Sequence, residues 1–181
     1  MSSGLCIWFT GLSGAGKSTL AKIVSSKFDE LDLKYDILDG DEVRLHLSKG
    51  LGFSKEDRDT NIRRIGYVCT KIVKHGGIVM AAAISPYRSI RDEVRKMVED
   101  VGGRFVEVYV DTPLHICEQR DVKGLYKRAR TGELKEFTGV SDPYEAPLDP
   151  EIAANTTDLC VEESASAIMT SLKNMGLIAR I

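Results

Sequence analysis

The run Gly11-Leu12-Ser13-Gly14-Ala15-Gly16-Lys17-Ser18 matches the spacing Gly-x-x-x-x-Gly-Lys-Ser/Thr in full, and that pattern binds phosphate. Its glycines let successive backbone N–H groups converge on phosphate oxygens, and a helix opening behind them adds positive potential. Lys17 is then placed to reach the β- and γ-phosphates of a nucleotide, the Ser18 hydroxyl to ligate Mg2+, and Thr19 lies beside them. The bland alternative is a chance glycine loop with a solvated lysine. It is disfavoured because a strand-like run precedes the loop and a helical pattern follows it.

Phosphoryl transfer also needs carboxylates to manage the metal and the acceptor proton. The apolar run 78–85 contains no aspartate, so those roles pass to Asp39 and Asp41, which end an earlier run. With Ser18 they are expected to hold the metal, partly through water, and Asp41 to act as general base. Read alone, Asp39-Gly40-Asp41 is also an ordinary polar turn and helix cap. Arg44, Arg58 and Asn61 gather after the same strand. Arg58 and Asn61 share a helix face, and Phe53 lies just upstream, which suggests an anion clamp beside an aromatic platform. Taken singly, each arginine is equally an ordinary solvated charge.

The segment 120–150 is long for a connection and rich in Lys, Arg, Gly and Pro, so it reads as a basic lid. Over 120–135, Arg120, Lys123, Lys127, Arg128, Arg130 and Lys135 outnumber Asp121 and Glu133, and Phe137 lies just beyond. Such a lid would bring cations to the migrating charge and exclude water. An exposed basic helix is the competing reading.

These groups need a rigid frame. Strand-like runs are predicted at Leu5–Thr10, Tyr35–Asp39, 78–85, 105–111 and 158–162, alternating with helical periods. Leu20, Ile23, Val24 and Phe28 mark one helix. Ile62, Ile65, Cys69, Ile72 and Val73 mark another, capped by Ser54 and stopped by Gly76-Gly77. A third is expected with Ser85 as cap, Pro86 at its first position and an end at Gly102, and a last over 164–175. The pattern predicts α/β class: a five-stranded parallel sheet between two helical layers, in one domain over 1–181, with chemistry at the carboxyl ends of the strands.

The 181 residues carry Lys+Arg 25 against Asp+Glu 27, a net charge of −2. That balance argues against a dedicated nucleic-acid binder. The longest apolar run, 78–84, is far short of the about 18 residues of a membrane span. The opening Met-Ser-Ser-Gly-Leu has no secretory features, so a cytoplasmic enzyme without membrane attachment is expected. Cys6, Cys69, Cys117 and Cys160 lack paired spacing and read as small buried hydrophobes, with Cys6 and Cys160 in strand-like runs.

Taken together, the loop 11–18, Leu-Asp-Gly-Asp at 38–41, Leu-Gly-Phe-Ser at 51–54, Asp-Arg-x-x-Asn-Ile-Arg-Arg at 57–64, Ile-Ser-Pro-Tyr-Arg at 84–88, Arg-Asp-Val-Lys-Gly-Leu-Tyr at 120–126 and Phe-Thr-Gly-Val-Ser-Asp-Pro-Tyr-Glu-x-Pro at 137–147 resemble the adenylylsulfate kinases. The resemblance covers nearly the whole chain and implies the three-layer P-loop NTPase fold. It also implies transfer of phosphate from MgATP to the ribose 3′-hydroxyl of adenosine 5′-phosphosulfate. Asp41, Arg44, Phe53, Arg58, Asn61, Ile84, Ser85, Lys123 and Phe137 would contact adenylylsulfate, while Arg120, Thr157, Leu159 and Cys160 would border the adenine of ATP. A homodimer and a functional link to ATP sulfurylase are implied as well.

Ser85 is placed with Lys17 and Asp41 among the catalytic residues, as a substrate ligand rather than an obligatory phosphoserine, because in-line transfer needs no covalent step. Glu42, His46 and Glu136 stand where the family more often has Asn, Gly and Gly. The competing functions are another small-molecule kinase on the same fold and a nucleotide-binding regulatory module. A GTPase switch is disfavoured because no Asn-Lys-x-Asp occurs.

Overall fold

The computed structural model describes residues 3–157 and 159–178. Its elements are β1 Leu5–Thr10, α1 Lys17–Glu30, β2 Tyr35–Asp39, α2 Gly40–His46, α3 Lys55–Lys74, β3 Ile78–Ala82, α4 Arg88–Asp100, β4 Arg104–Asp111, α5 Leu114–Arg120, α6 Leu125–Arg130, β5 Ile152–Asn155 and α7 Val161–Asn174. The strands form one parallel sheet in the order β2-β3-β1-β4-β5. No helix among the described residues is long and apolar enough to cross a membrane.

β1 is buried along its whole length because it lies at the centre of the sheet with helices on both faces. Leu5, Ile7 and Phe9 point into the layer of α1 and α7, while Cys6 and Trp8 point into the layer of α3 and α4. A Cβ on Gly66 of α3 would lie 2.7 Å from Val94 Cγ2 of α4, so glycine sets how closely those helices approach.

Several expected boundaries move. The fifth strand is Ile152–Asn155 rather than 158–162. Its alanines carry little β propensity, so the apolar run downstream looked more strand-like. Asp158 lies outside the described residues, and Val161 already opens α7. There Cys160 Sγ accepts from the Glu163 N–H at 3.5 Å, and Glu163 Oε2 accepts from the Cys160 N–H at 2.9 Å, a capping box. Cys160 is accordingly exposed, unlike Cys6, Cys69 and Cys117.

β3 ends at Ala82, and α4 begins at Arg88 with Tyr87 before it, so Ser85 is no helix cap. Ser85 instead holds a positive φ of 43°. The donor at the start of α4 is satisfied from far along the chain: the Arg88 N–H donates to Glu145 Oε2 at 2.8 Å. The segment 120–150 is not all loop, since α6 lies within it.

Candidate active site

The phosphate loop leaves β1 at Gly11, whose φ of 149° suits glycine and where a Cβ would sit 2.7 Å from the Val110 carbonyl. The loop is tied down from below. Thr112 and Thr156, at the ends of β4 and β5, each donate to the Ala15 carbonyl at 3.1 Å. Tyr126 of α6 donates to the Ser13 carbonyl at 2.9 Å. Lys17 lies along the loop, donating to the carbonyls of Gly11 at 3.0 Å and Leu12 at 2.7 Å. An ammonium has three donors, so one remains for a phosphate. Burial disfavours its charge and lowers its pKa from 10.5 to about 8.

Ser18 Oγ donates to Asp39 Oδ2 at 2.5 Å, and Asp39 Oδ1 accepts from the Asp41 N–H at 3.0 Å, capping α2. A hydroxyl and a carboxylate together on the cavity wall are hard oxygen donors of the kind Mg2+ takes alongside phosphates and water. The Asp41 side chain is exposed and ion-paired with Lys123, which reaches over from the segment before α6.

Beside the loop, the carboxyl ends of β2 and β3 open onto a cavity of about 390 Å³. Asp41, Arg44, Phe53, Arg58, Asn61, Ile84, Ser85, Lys123 and Phe137 all line it, together with Ser13, Gly14 and Gly16 to Thr19. The Arg44 guanidinium sits 4.5 Å over the Phe53 ring. Asn61 is buried and its Oδ1 has no hydrogen-bond partner among the described residues, an acceptor left for something entering the cavity.

Arg58 is engaged with the segment 136–142 rather than free as a clamp. Its guanidinium donates to Thr138 Oγ1 at 3.1 Å, to Asp142 Oδ2 at 2.6 Å and to the Glu136 carbonyl. Phe137 packs edge-on to Tyr126, with ring centres 5.1 Å apart. Ser85 Oγ accepts from Trp8 Nε1 at 3.0 Å and donates to Thr10 Oγ1 at 3.0 Å.

Gly11, Leu12 and Ala15 build the loop without lining the cavity, and Arg120, Thr157, Leu159 and Cys160 do not line it either. Arg120 donates to the Thr156 carbonyl at 2.8 Å and reaches the Gly14 carbonyl at 3.5 Å, binding the loop to the turn that carries Thr157, Leu159 and Cys160. Of the lid's expected cations, only Lys123 faces the cavity. Arg128 and Arg130 pair instead with Glu133 and Glu118. His46 is the exposed last residue of α2, away from the cavity lining.

Sequence reasoning missed the supports: Thr10, Arg91, Thr112, Tyr126, Tyr144 and Thr156. Tyr126 and Tyr144 fall inside motifs already noticed. The threonines carried a weaker signal, each standing at or just after the carboxyl end of a strand.

The family model of adenylylsulphate kinase matches residues 3–155. The adenylyl-sulfate kinase of Gloeothece citriformis is 56% identical over 97% of both chains. A probable bifunctional SAT/APS kinase 2 of Sorangium cellulosum is 53% identical over 98% of this chain and 30% of its own length. Among solved structures, the Mycobacterium tuberculosis APS kinase CysC in complex with AMPPNP and APS superposes with a TM-score of 0.91, at 42% identity over 96% of this chain and 99% of that one. This chain belongs to the adenylylsulphate kinase family.

Proposed function

We propose that the protein transfers the γ-phosphoryl group of ATP to the ribose 3′-hydroxyl of adenosine 5′-phosphosulfate, giving 3′-phosphoadenosine 5′-phosphosulfate and ADP. The observation that carries this reading is one cavity shared by the phosphate loop and a cationic, aromatic and amide-bearing acceptor wall. Binding of AMPPNP and APS together by the Mycobacterium tuberculosis relative supports it.

In this reading Gly11 to Thr19 hold the ATP phosphates, and Arg120 with Thr157, Leu159 and Cys160 borders the base. Arg44, Phe53, Arg58, Asn61, Ile84, Phe137 and Lys123 surround the acceptor. Asp41 exchanges Lys123 for the 3′-hydroxyl and takes its proton as the new P–O bond forms and the bond to the ADP oxygen breaks. Lys17 directs its remaining N–H at the transferring phosphoryl group. Ser18 and Asp39, with Asp41 through water, would hold Mg2+, which when bound neutralises charge on the β- and γ-phosphates.

Transfer is direct. The partners of Ser85 Oγ are Trp8, Thr10 and Ala83, and none of them is a base able to activate a serine nucleophile. Ser85 therefore serves the acceptor as part of the wall. The chain acts as one kinase domain with 120–150 as its lid, in the cytoplasm. We also assign it a homodimer, which the exposed Leu45, Leu47 and Tyr67 support. The fused Sorangium relative supports a functional link to ATP sulfurylase.

The test is ADP release from MgATP with and without adenosine 5′-phosphosulfate, with AMP as control and product identified by mass. Adenylylsulfate-dependent ADP with a 3′-phosphorylated product is expected. Binding without turnover would instead make this a regulatory module, and neither would point to another small acceptor.

A further inference from the structure

Arg91 of α4 is 2% exposed and spends its guanidinium in three directions. Nη1 donates to the Ser85 carbonyl, Nη2 to the Glu145 carbonyl and Nε to Glu107 Oε1, each at 2.7 Å. Ser85, with its positive φ, forms part of the cavity wall. Glu145 belongs to the strap that returns from the lid. That strap is fastened to the same turn by other bonds: the Glu145 N–H donates to the Pro86 carbonyl at 2.8 Å, and Arg88 Nε donates to the Ala146 carbonyl at 2.7 Å. Tyr144 Oη lies 2.9 Å from Thr10 Oγ1, which in turn donates to the Ile84 carbonyl at 2.8 Å.

We infer that Arg91 is a positioning residue for the acceptor, holding the wall at Ile84 and Ser85 in register with the root of the lid. The inference rests on the function proposed above for that cavity. Only a planar fork with separately directed N–H groups spans two carbonyls and a carboxylate at once. A lysine in its place keeps the charge beside Glu107 but cannot reach both carbonyls. Ser85 then loses the bond that fixes its left-handed backbone, and the wall shifts.

Arg95, one turn further along α4, is the control. It pairs with Glu151 and lies near Glu107, and no bond joins it to Ser85 or Glu145.

The experiment compares Arg91→Lys with Arg95→Lys and wild type, measuring KM for each nucleotide, kcat and the emission of Trp8. The chain has one tryptophan, and its indole donates to Ser85 Oγ. Arg91→Lys is expected to raise the adenylylsulfate KM on the order of tenfold, the scale of one lost charge-assisted hydrogen bond. The ATP KM should stay within about twofold, and Trp8 emission should shift. Arg95→Lys should leave the acceptor KM unchanged, and it controls for KM rather than emission because the Arg95 guanidinium lies 4.7 Å over the Phe105 ring that stacks on Trp8.

Equal effects of the two variants on the acceptor KM, or a loss confined to thermal stability, would overturn the inference. Should Arg91→Lys fail to fold, Glu145→Pro, which deletes the strap's N–H to Pro86 and the carboxylate that accepts from the Arg88 N–H, must reproduce the acceptor-selective loss and the emission shift. Absence of turnover in wild type would defeat the proposed function instead, and the Trp8 emission would still decide whether Arg91 fixes the Ser85 wall.

Discussion

Ser18 Oγ donates to Asp39 Oδ2 at 2.5 Å, so the hydroxyl at the start of α1 and the carboxylate at the end of β2 act as one unit. The second Asp39 oxygen caps α2 through the Asp41 N–H. One side chain thus joins the phosphate loop to Asp41, the general base we propose, across strand ends two places apart in the sheet order.

Cap and charge can be separated at this residue. Asp39→Asn keeps an oxygen for the Asp41 N–H and should leave the thermal midpoint nearly unchanged, while the Mg2+ concentration for half-maximal activity rises about tenfold or more. Asp39→Ala removes the cap too, at about 1 kcal/mol. An unaltered Mg2+ dependence in Asp39→Asn would remove this carboxylate from the metal site.

Lys17 makes nucleotide binding pH-dependent. Its pKa in the free protein is lowered to about 8 by burial. Phosphates favour the charged amine, so binding raises the pKa and draws a proton from solvent. Near pH 8 the uptake should be about half a proton, read by calorimetry in buffers of different ionisation enthalpy. Affinity should be flat at lower pH and weaken toward about tenfold per unit above pH 8 until the bound lysine itself titrates. Proton release, or none, would contradict this, and Lys17→Met should abolish the uptake.

The phosphate loop was legible because its residues are contiguous and its spacing has a direct backbone meaning. The residues that line the cavity were legible, but not how they pair. No local pattern places Asp142 on Arg58, or Lys123 on Asp41, because those partners lie far apart in the chain. The same distance hid Glu145 as the cap of α4, so Ser85-Pro86 read as a helix start when it is a strained turn in the cavity wall. β5 escaped because its burial comes from its place beside β4, while its alanines carry little signal of their own.

The lid should loosen when Arg58 loses its carboxylate. The Arg58 side chain is 7% exposed and that of Asp142 is 26% exposed. Asp142→Ala leaves a buried cation with only neutral partners, a cost of about 1–3 kcal/mol, below that of a fully buried pair because water reaches Asp142. Limited trypsinolysis at Lys135 should accelerate, and the adenylylsulfate KM should rise as Arg58 loses its fixed orientation. An unchanged cleavage rate would show that the lid is held elsewhere.

Glu136 holds a left-handed backbone, with a φ of 55°. Its backbone carbonyl accepts from Arg58, so the conformation is held by a contact that does not depend on the side chain. A left-handed backbone costs a residue with a Cβ about 1–2 kcal/mol, whereas glycine costs about 0.5–1 kcal/mol in unfolded-state entropy. The steric saving is the larger, so Glu136→Gly should stabilise the protein by up to about 1 kcal/mol, raising the thermal midpoint by about 2–4 °C or less. The substitution also removes a carboxylate from the rim of a cavity read as binding an anion, so the adenylylsulfate KM should fall, more at low ionic strength than at high. A lowered midpoint would mean that the Glu136 side chain contributes more than its backbone costs.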